Sequence, residues 1–240
     1  MRKWIIRLLV VAVVAVAVAY GGILLWTKVI DKPEDQLSSD DLTEALVSDS
    51  STTSIPLPES TTVTDPNDVS GEWIATTEST LGYRVKEVLG GVDTEGVGRT
   101  NQVDGRITID GTIVVDGGFT VEVASIESDS DRRDSQFTGR IMDVATHPTA
   151  KFLITQPIDF GVIPASGQQV TVNANGELTL RGVTRPVTFE LTAEYTNGRI
   201  GVLGSIPVVF ADYGIPNPSN PFVTTGDDGL LEFVLVFARA

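Results

Sequence analysis

Apolar and polar residues alternate along most of the chain beyond residue 70. Val187, Phe189, Leu191, Ala193 and Tyr195 share one face of a run whose other face carries Thr188, Glu190, Thr192 and Glu194. Val170, Val172, Ala174, Leu178 and Leu180 alternate in the same way with Thr171, Asn173, Glu177, Thr179 and Arg181, and Leu81, Tyr83 and Val85 with Arg84 and Lys86. A period of two is that of a strand with one buried and one solvated face. The pattern predicts strands at Glu72 to Ala75, Leu81 to Lys86, Arg106 to Val115, Phe119 to Ile126, Lys151 to Thr155, Val170 to Leu180, Val187 to Tyr195, Ile200 to Phe210 and Leu230 to Arg239. Asn197-Gly198 is a strong hairpin signal and Asp116-Gly117-Gly118 a looser one. Gly182 offers the positive φ of a tight connection, and Pro186 opens the next strand. The Gly-rich stretch Val88 to Gly98 reads as a mobile loop. A single helical interruption, Arg132 to Val144, sets Phe137, Ile141 and Val144 at helical spacing behind Asp131 as N-cap. Consecutive antiparallel strands with one apolar face each must enclose a common interior. Periodicity leaves open whether that interior belongs to a sandwich or a barrel, and whether it is solid or hollow.

The first 69 residues have a different texture. Arg2, Lys3 and Arg7 precede an uncharged apolar run from Leu8 to Trp26, which as a helix reaches roughly 28 Å, enough to cross a bilayer. Ala17-Val18-Ala19 has the form of a signal-peptide cleavage site, but the run continues past it through Ile23, Leu24 and Leu25, which favours an uncleaved anchor. The basic start and acidic sequel place the N-terminus in the cytoplasm and all that follows Lys28 outside, with Trp4 and Trp26 at the two interfaces. The expected organisation is a membrane anchor over residues 1–30, an acidic Ser/Thr/Pro-rich linker over 31–69 and a folded domain over 70–240. The linker reads as disordered. A short helix around Asp40 to Val47, capped by Ser39, is available there but with Leu42, Ala45 and Leu46 could bury little.

A formal net charge of −15 argues against nucleic acid as a partner and against adsorption of the domain on anionic lipid, since phosphate recognition needs clustered Lys and Arg. The absence of cysteine excludes disulfides and thiolate metal sites. His147, the one histidine, reads as a turn residue before Pro148, and Asp227-Asp228 as a solvated turn rather than a cation site. There is no Gly-x-Ser-x-Gly elbow, no phosphate-binding loop and no dinucleotide fingerprint. No enzyme activity, catalytic residue, cofactor or metal is expected. Three classes stay open: a lumen-binding protein, a solid-core adhesion or scaffold module, and a glycan-directed hydrolase using paired carboxylates.

Four motifs in order carry a resemblance. They are GEWIATTESTLGYRVKE with Trp73, Ser79, Tyr83 and Val85; SDRRDSQFTGRIMDVATHPTAKFLI with Arg133, Asp134, Pro148 and Phe152; LTLRGVTRPV with Arg181, Gly182, Thr184, Arg185 and Pro186; and Asp212-Tyr213-Gly214-Ile215. Together they resemble the YceI-like family over Gly71 to Ala240. The resemblance implies an all-β, elongated, antiparallel lipocalin-like barrel with one short helix, here preceded by a single transmembrane helix and a disordered tether. It also implies a polyisoprenoid or other long-chain lipid, such as a fatty-acyl chain, held in the lumen, and it admits a homodimer. Parity and family position together nominate Trp73, Tyr83, Val85, Phe137, Ile141, Phe152, Phe189 and Phe210 as lipid-binding residues, with Arg133 and Asp134 as an ion pair at the helix start. The chain departs from the family at Glu87, where many members have His, and in the tract Val88 to Val103. A different head-group preference is implied if the ligand's polar end lies there. The implied whole is a membrane-tethered binding protein with its domain outside the cytoplasm.

Overall fold

The structure, a computed structural model, describes residues 2–25, 33–47 and 68–240. Expectations for Trp26, Lys28 and the linker stretch 48–67 lie outside the described residues. The strands are β1 (Gly71–Ala75), β2 (Thr80–Leu89), β3 (Val92–Thr100), β4 (Val103–Asp110), β5 (Ile113–Glu122), β6 (Glu127–Ser128) and β7 (Thr149–Ile154), followed by β8 (Ile158–Asp159), β9 (Gln169–Leu180), β10 (Val183–Thr196), β11 (Arg199–Val209), β12 (Val223–Thr225) and β13 (Asp228–Arg239). All pair antiparallel. The ring β1-β4-β5-β7-β9-β10-β11-β13 closes where β13 meets β1, giving an eight-stranded barrel. β13 is long enough to pair twice. Its C-terminal part, Phe237 to Arg239, zips to β1, whereas Leu230 to Val234 pairs with β2, which carries β3 and the short β6 beyond it. Closure removes exposed sheet edges from the ring and turns the apolar faces of the alternating strands inward.

The inward set follows the alternation. Phe189, Leu191 and Ala193 of β10, Ala174, Leu178 and Leu180 of β9, and Leu231, Phe233, Leu235 and Phe237 of β13 are all buried. Three connections are tight turns with consecutive positive φ: Gly90 (58°) and Gly91 (85°), Arg181 (50°) and Gly182 (74°), then Asn197 (55°) and Gly198 (72°). All belong to the mirror-image turns whose twist matches that of the strands they join.

Several expectations are corrected. Val88 to Gly98 is not a loop: after the Gly90-Gly91 turn it becomes β3, in register with β2 from Leu89↔Val92 to Leu81↔Thr100. Its glycines mark close approach rather than mobility, because a Cβ at Gly98 would lie 2.5 Å from the Tyr83 ring. Asp116-Gly117-Gly118 is not a turn but the middle of β5, where a Cβ on Gly118 would meet the Phe152 carbonyl at 2.3 Å; the chain reverses earlier, between Asp110 and Ile113. The predicted helix is shorter and mixed. An α-turn segment, Asp131–Gln136, passes into a π segment, Phe137–Ile141, and its N-cap is Ser130 rather than Asp131, with no capping bond from the side chain.

The N-terminal residues Arg2–Leu25 form a helix, α1. The expected transmembrane span is nonetheless not found: among the described residues no helix is long and apolar enough to cross a membrane.

The linker departs furthest from its expected disorder. Ser39–Val47 forms α2, and Leu42 and Leu46 are wholly buried against Val234 and Val236 on the outer face of β13, with Leu37, Ala45 and Leu203 around them. Gly201 of β11 makes the seat, since a Cβ there would stand 2.6 Å from Leu42 Cδ1. On the same outer face Glu232 is 1 % exposed and pairs with Arg84 (3.0 Å) and Arg99. Arg84 also donates to the Glu34 carbonyl at 2.8 Å, so the segment before α2 covers these charges. Glu194 is likewise buried: Thr43 of α2 donates to it at 2.9 Å and Gln169 at 3.1 Å. β13 is therefore buried on both faces.

Candidate functional site

The barrel interior is not solid. Two cavities lie along it, lined by different residues. The larger, about 330 Å3, lies at the end where β2, β3 and the helical segment meet; the smaller, about 110 Å3, lies at the end where β8, β9 and the start of β11 meet. Between them stand four phenylalanines. Phe119 and Phe152 stack at 5.5 Å, Phe152 and Phe189 meet edge-on at 5.4 Å, Phe189 and Phe233 at 6.0 Å, and Phe233 returns to Phe119 at 5.3 Å. The cycle of rings forms a waist. Two glycines permit it: a Cβ on Gly176 would lie 2.3 Å from the Phe152 ring, and one on Gly204 would lie 2.3 Å from that of Phe233. Strand glycines here leave the space that the rings fill.

The larger chamber receives Leu81, Tyr83 and Val85 from β2, Phe137, Ile141 and Met142 from the helical segment, Val121 from β5, Leu180 from β9, and Val208 and Phe210 at the end of β11. Tyr83 stacks on Phe137 with ring centroids 4.6 Å apart, so the π segment is fastened across this end of the barrel. A π turn widens the helix and projects Phe137 inward while its carbonyl accepts from the Met142 N–H at 2.8 Å. Phe222, 72 % exposed, borders the mouth of the chamber.

Polar groups gather at that mouth. Glu87 faces inward on β2, and Arg133 approaches it from the helix with Nη2 3.7 Å from Oε2. Burial is the main cause that lifts the Glu87 carboxyl above its ordinary range, with Arg133 opposing it. Burial also pushes the Tyr83 phenol up to about 12. Burial opposes the charge on Arg133, but Glu87 and Asp129 outweigh it and hold that guanidinium above its ordinary value. Arg133 and Asp134 are not paired with each other as expected. Arg133 serves Glu87 and Asp129, while Asp134 accepts from the Ser128 N–H (3.0 Å) and hydroxyl (2.6 Å), anchoring the helix start to β6.

Of the nominated residues, Tyr83, Val85, Phe137, Ile141 and Phe210 line the larger chamber and Phe152 the smaller. Phe189 belongs to the waist. Trp73 lines neither cavity: it is 1 % exposed, donates its indole N–H to the Val69 carbonyl at 2.8 Å, meets Tyr195 edge-on and lies under the Arg239 guanidinium. Its part is to close the seam between β1 and β13. Sequence reasoning missed Phe119 and Phe233 of the waist, though both sit on alternating strands. It also missed the mouth residue Phe222, which no periodicity marks. His147 packs over the Arg181-Gly182 turn, where a Cβ on Gly182 would meet its ring at 2.9 Å.

A closed antiparallel barrel with two apolar cavities inside it is an architecture with room to enclose a ligand rather than one packed solid. The chain belongs to the YceI-like family: the model of the YceI-like domain matches residues 73–237. A UPF0312 protein of Pseudomonas fluorescens is 31 % identical over 121 residues, 48 % of this chain and 59 % of that one. A UPF0312 protein of Vibrio parahaemolyticus is 30 % identical over 105 residues, 40 % of this chain and 51 % of that one. These alignments thus span little more than half the length of the curated relatives. Among solved structures, a polyisoprenoid binding domain from Saccharophagus degradans, implicated in plant cell wall breakdown, superposes with a TM-score of 0.58 at 18 % identity, covering 71 % of this chain and 99 % of that one. At that identity the likeness concerns the fold.

Proposed function

We propose that the protein holds a long-chain lipid, a polyisoprenoid or acyl chain, in the barrel lumen, as a binding protein and not an enzyme. The observation that carries this reading is the pair of apolar cavities within one barrel, separated by side chains alone, the four phenylalanines with Leu178 and Ile206. Rings can rotate where backbone cannot, so a chain seated in the larger chamber can extend past the waist into the smaller. Each buried methylene contributes about 0.8 kcal/mol, so a chain of ten or so holds without any strong polar contact. The larger cavity alone reaches the lower end of the usual range for ligand sites, roughly 300–1,000 Å3.

The apolar run Leu8 to Trp26 with its basic start supports a further part of the proposal: that the chain is anchored in a membrane with the barrel on the extracytoplasmic side. Fractionation of cells expressing the full chain, followed by protease protection, tests that part separately. Displacement of a fluorescent long-chain probe by farnesol and then by the longer geranylgeraniol tests the lumen. Tighter binding of the longer chain is expected. Equal weak binding of both would sink the two-chamber reading.

A further inference from the structure

The polar groups of the larger chamber are unequal in charge. Glu87 follows Tyr83 and Val85 on the lumen face of β2, so the period of the strand itself carries a carboxylate into the chamber. Diagonally across from it, opposite Val85, β3 has Gly96. A Cβ there would stand 2.8 Å from Glu87 Oε1 and 3.3 Å from Arg133 Nε, so the missing side chain leaves room for both groups. The Arg133–Glu87 separation of 3.7 Å is an ion pair longer than a hydrogen bond, and Nη1 of the same guanidinium is taken by Asp129. One guanidinium therefore answers two carboxylates. The Glu87 side chain is only 14 % exposed, where water screens charge poorly. An anionic head group entering here meets a carboxylate whose counter-charge is already shared. A hydroxyl meets an acceptor with lone pairs to spare. Arg132 also borders the mouth but is exposed, where solvent leaves it a weak hold on a phosphate.

We infer that this mouth selects a long-chain lipid whose head is uncharged and donates a hydrogen bond, an alcohol, over one ending in phosphate or diphosphate. The preference rests on the lumen-binding reading and adds the head-group class to it. The upward shift of the Glu87 carboxyl, caused first by burial, agrees: a bare charge there is costly, and a donating head relieves it.

The test offers delipidated full-length protein in detergent three ligands with one tail: geranylgeraniol, its methyl ether and geranylgeranyl diphosphate. Affinities are read by displacement of a fluorescent long-chain probe, for the native protein and for Glu87→Gln. The alcohol is expected to bind at least about tenfold more tightly than the diphosphate, and more tightly than the ether, in the native protein. Glu87→Gln, with an unchanged melting profile, is expected to shrink the alcohol-over-diphosphate ratio severalfold. Glu87→Ala removes the carboxylate outright and gives the same reading where the amide disturbs Arg133. A diphosphate that binds as well as the alcohol, or a ratio untouched in both variants, overturns the head-group assignment while leaving lumen binding intact. Failure of all three tails to bind overturns lumen binding itself, and the assignment with it.

Discussion

Leu46 lies in the linker yet is 2 % exposed, so Leu46→Ala measures how far the linker belongs to the fold. The substitution deletes the equivalent of three methylenes from a site lined by Val234, Val236 and Leu203. At about 0.8 kcal/mol each the transfer loss is roughly 2.4 kcal/mol, and a residual cavity adds to it. The loss has a ceiling, because α2 can undock and its docking energy is the most that any change in it can cost. A drop of about 2–3 kcal/mol is expected, equivalent to roughly 5–10 °C in a domain of this size. The assay is thermal unfolding followed by circular dichroism. Gly201→Ala approaches the same contact from the barrel side, since its Cβ would press on Leu42 at 2.6 Å, and should lower the midpoint as well. The double variant Leu42→Ala/Leu46→Ala should lose less than the sum of the single losses, because the second truncation acts on a helix already leaving its seat. Val47→Ala, at a side chain 58 % exposed, is the control and should change little. Unchanged midpoints for both Leu46→Ala and Gly201→Ala would refute the docking of α2.

Phe189→Asp should unfold the barrel or cost several kcal/mol, because it places an unpaired carboxylate among the waist rings, whereas Glu190→Gln, one residue along and exposed, should leave the melting curve unchanged; equal effects would mean that the strand faces are misassigned. Phe233→Ala removes one ring of the waist and should destabilise by about 3–5 kcal/mol while narrowing the affinity difference between farnesol and geranylgeraniol, as read by probe displacement. The Tyr83 phenol has a folded-state pKa raised from 10.0 to about 12, so the folded state holds its proton more tightly than the unfolded state does. Its contribution is complete below pH 10 and is lost as pH rises toward 12, and Tyr83→Phe should flatten the alkaline limb of a pH–stability curve there. The Glu87 carboxyl is raised above 4.5, so stability should likewise fall as pH climbs past that value through the folded-state pKa, and Glu87→Gln should remove that part of the slope in urea titrations.

The strands that build the lumen were legible because alternation is a local signal: β9 and β10 show it residue by residue, and the Asn197-Gly198 turn fixes its own register. β3 was hidden because glycine carries no hydropathy. Gly96 and Gly98 are small on account of Glu87, Arg133 and Tyr83, partners that the fold brings against them but that lie well away from them along the chain. Asp116-Gly117-Gly118 misled for the same reason. The waist was half legible: alternation turns Phe152 and Phe189 inward, but that they meet Phe119 and Phe233 in a closed cycle depends on the pairing order of the whole ring. α2 carries a helical pattern too short to commit on its own. What stabilises it is the apolar outer face of β13, where Val234 and Val236 break the polar-outside rule and so announce a cover, though not which segment supplies it.

The lumen itself is tested most directly by denaturing the natively purified protein and identifying by mass spectrometry what is released, with melting curves taken as geranylgeraniol is added to the emptied barrel. A long-chain isoprenoid or acyl lipid is expected in near-stoichiometric amount, together with a melting point that climbs with ligand concentration, by about 2.7 kcal/mol of added stability at a hundredfold excess over Kd. No long-chain lipid released, and no shift at any concentration of added chain, would contradict a lipid-holding lumen and leave a barrel whose cavities are packing defects.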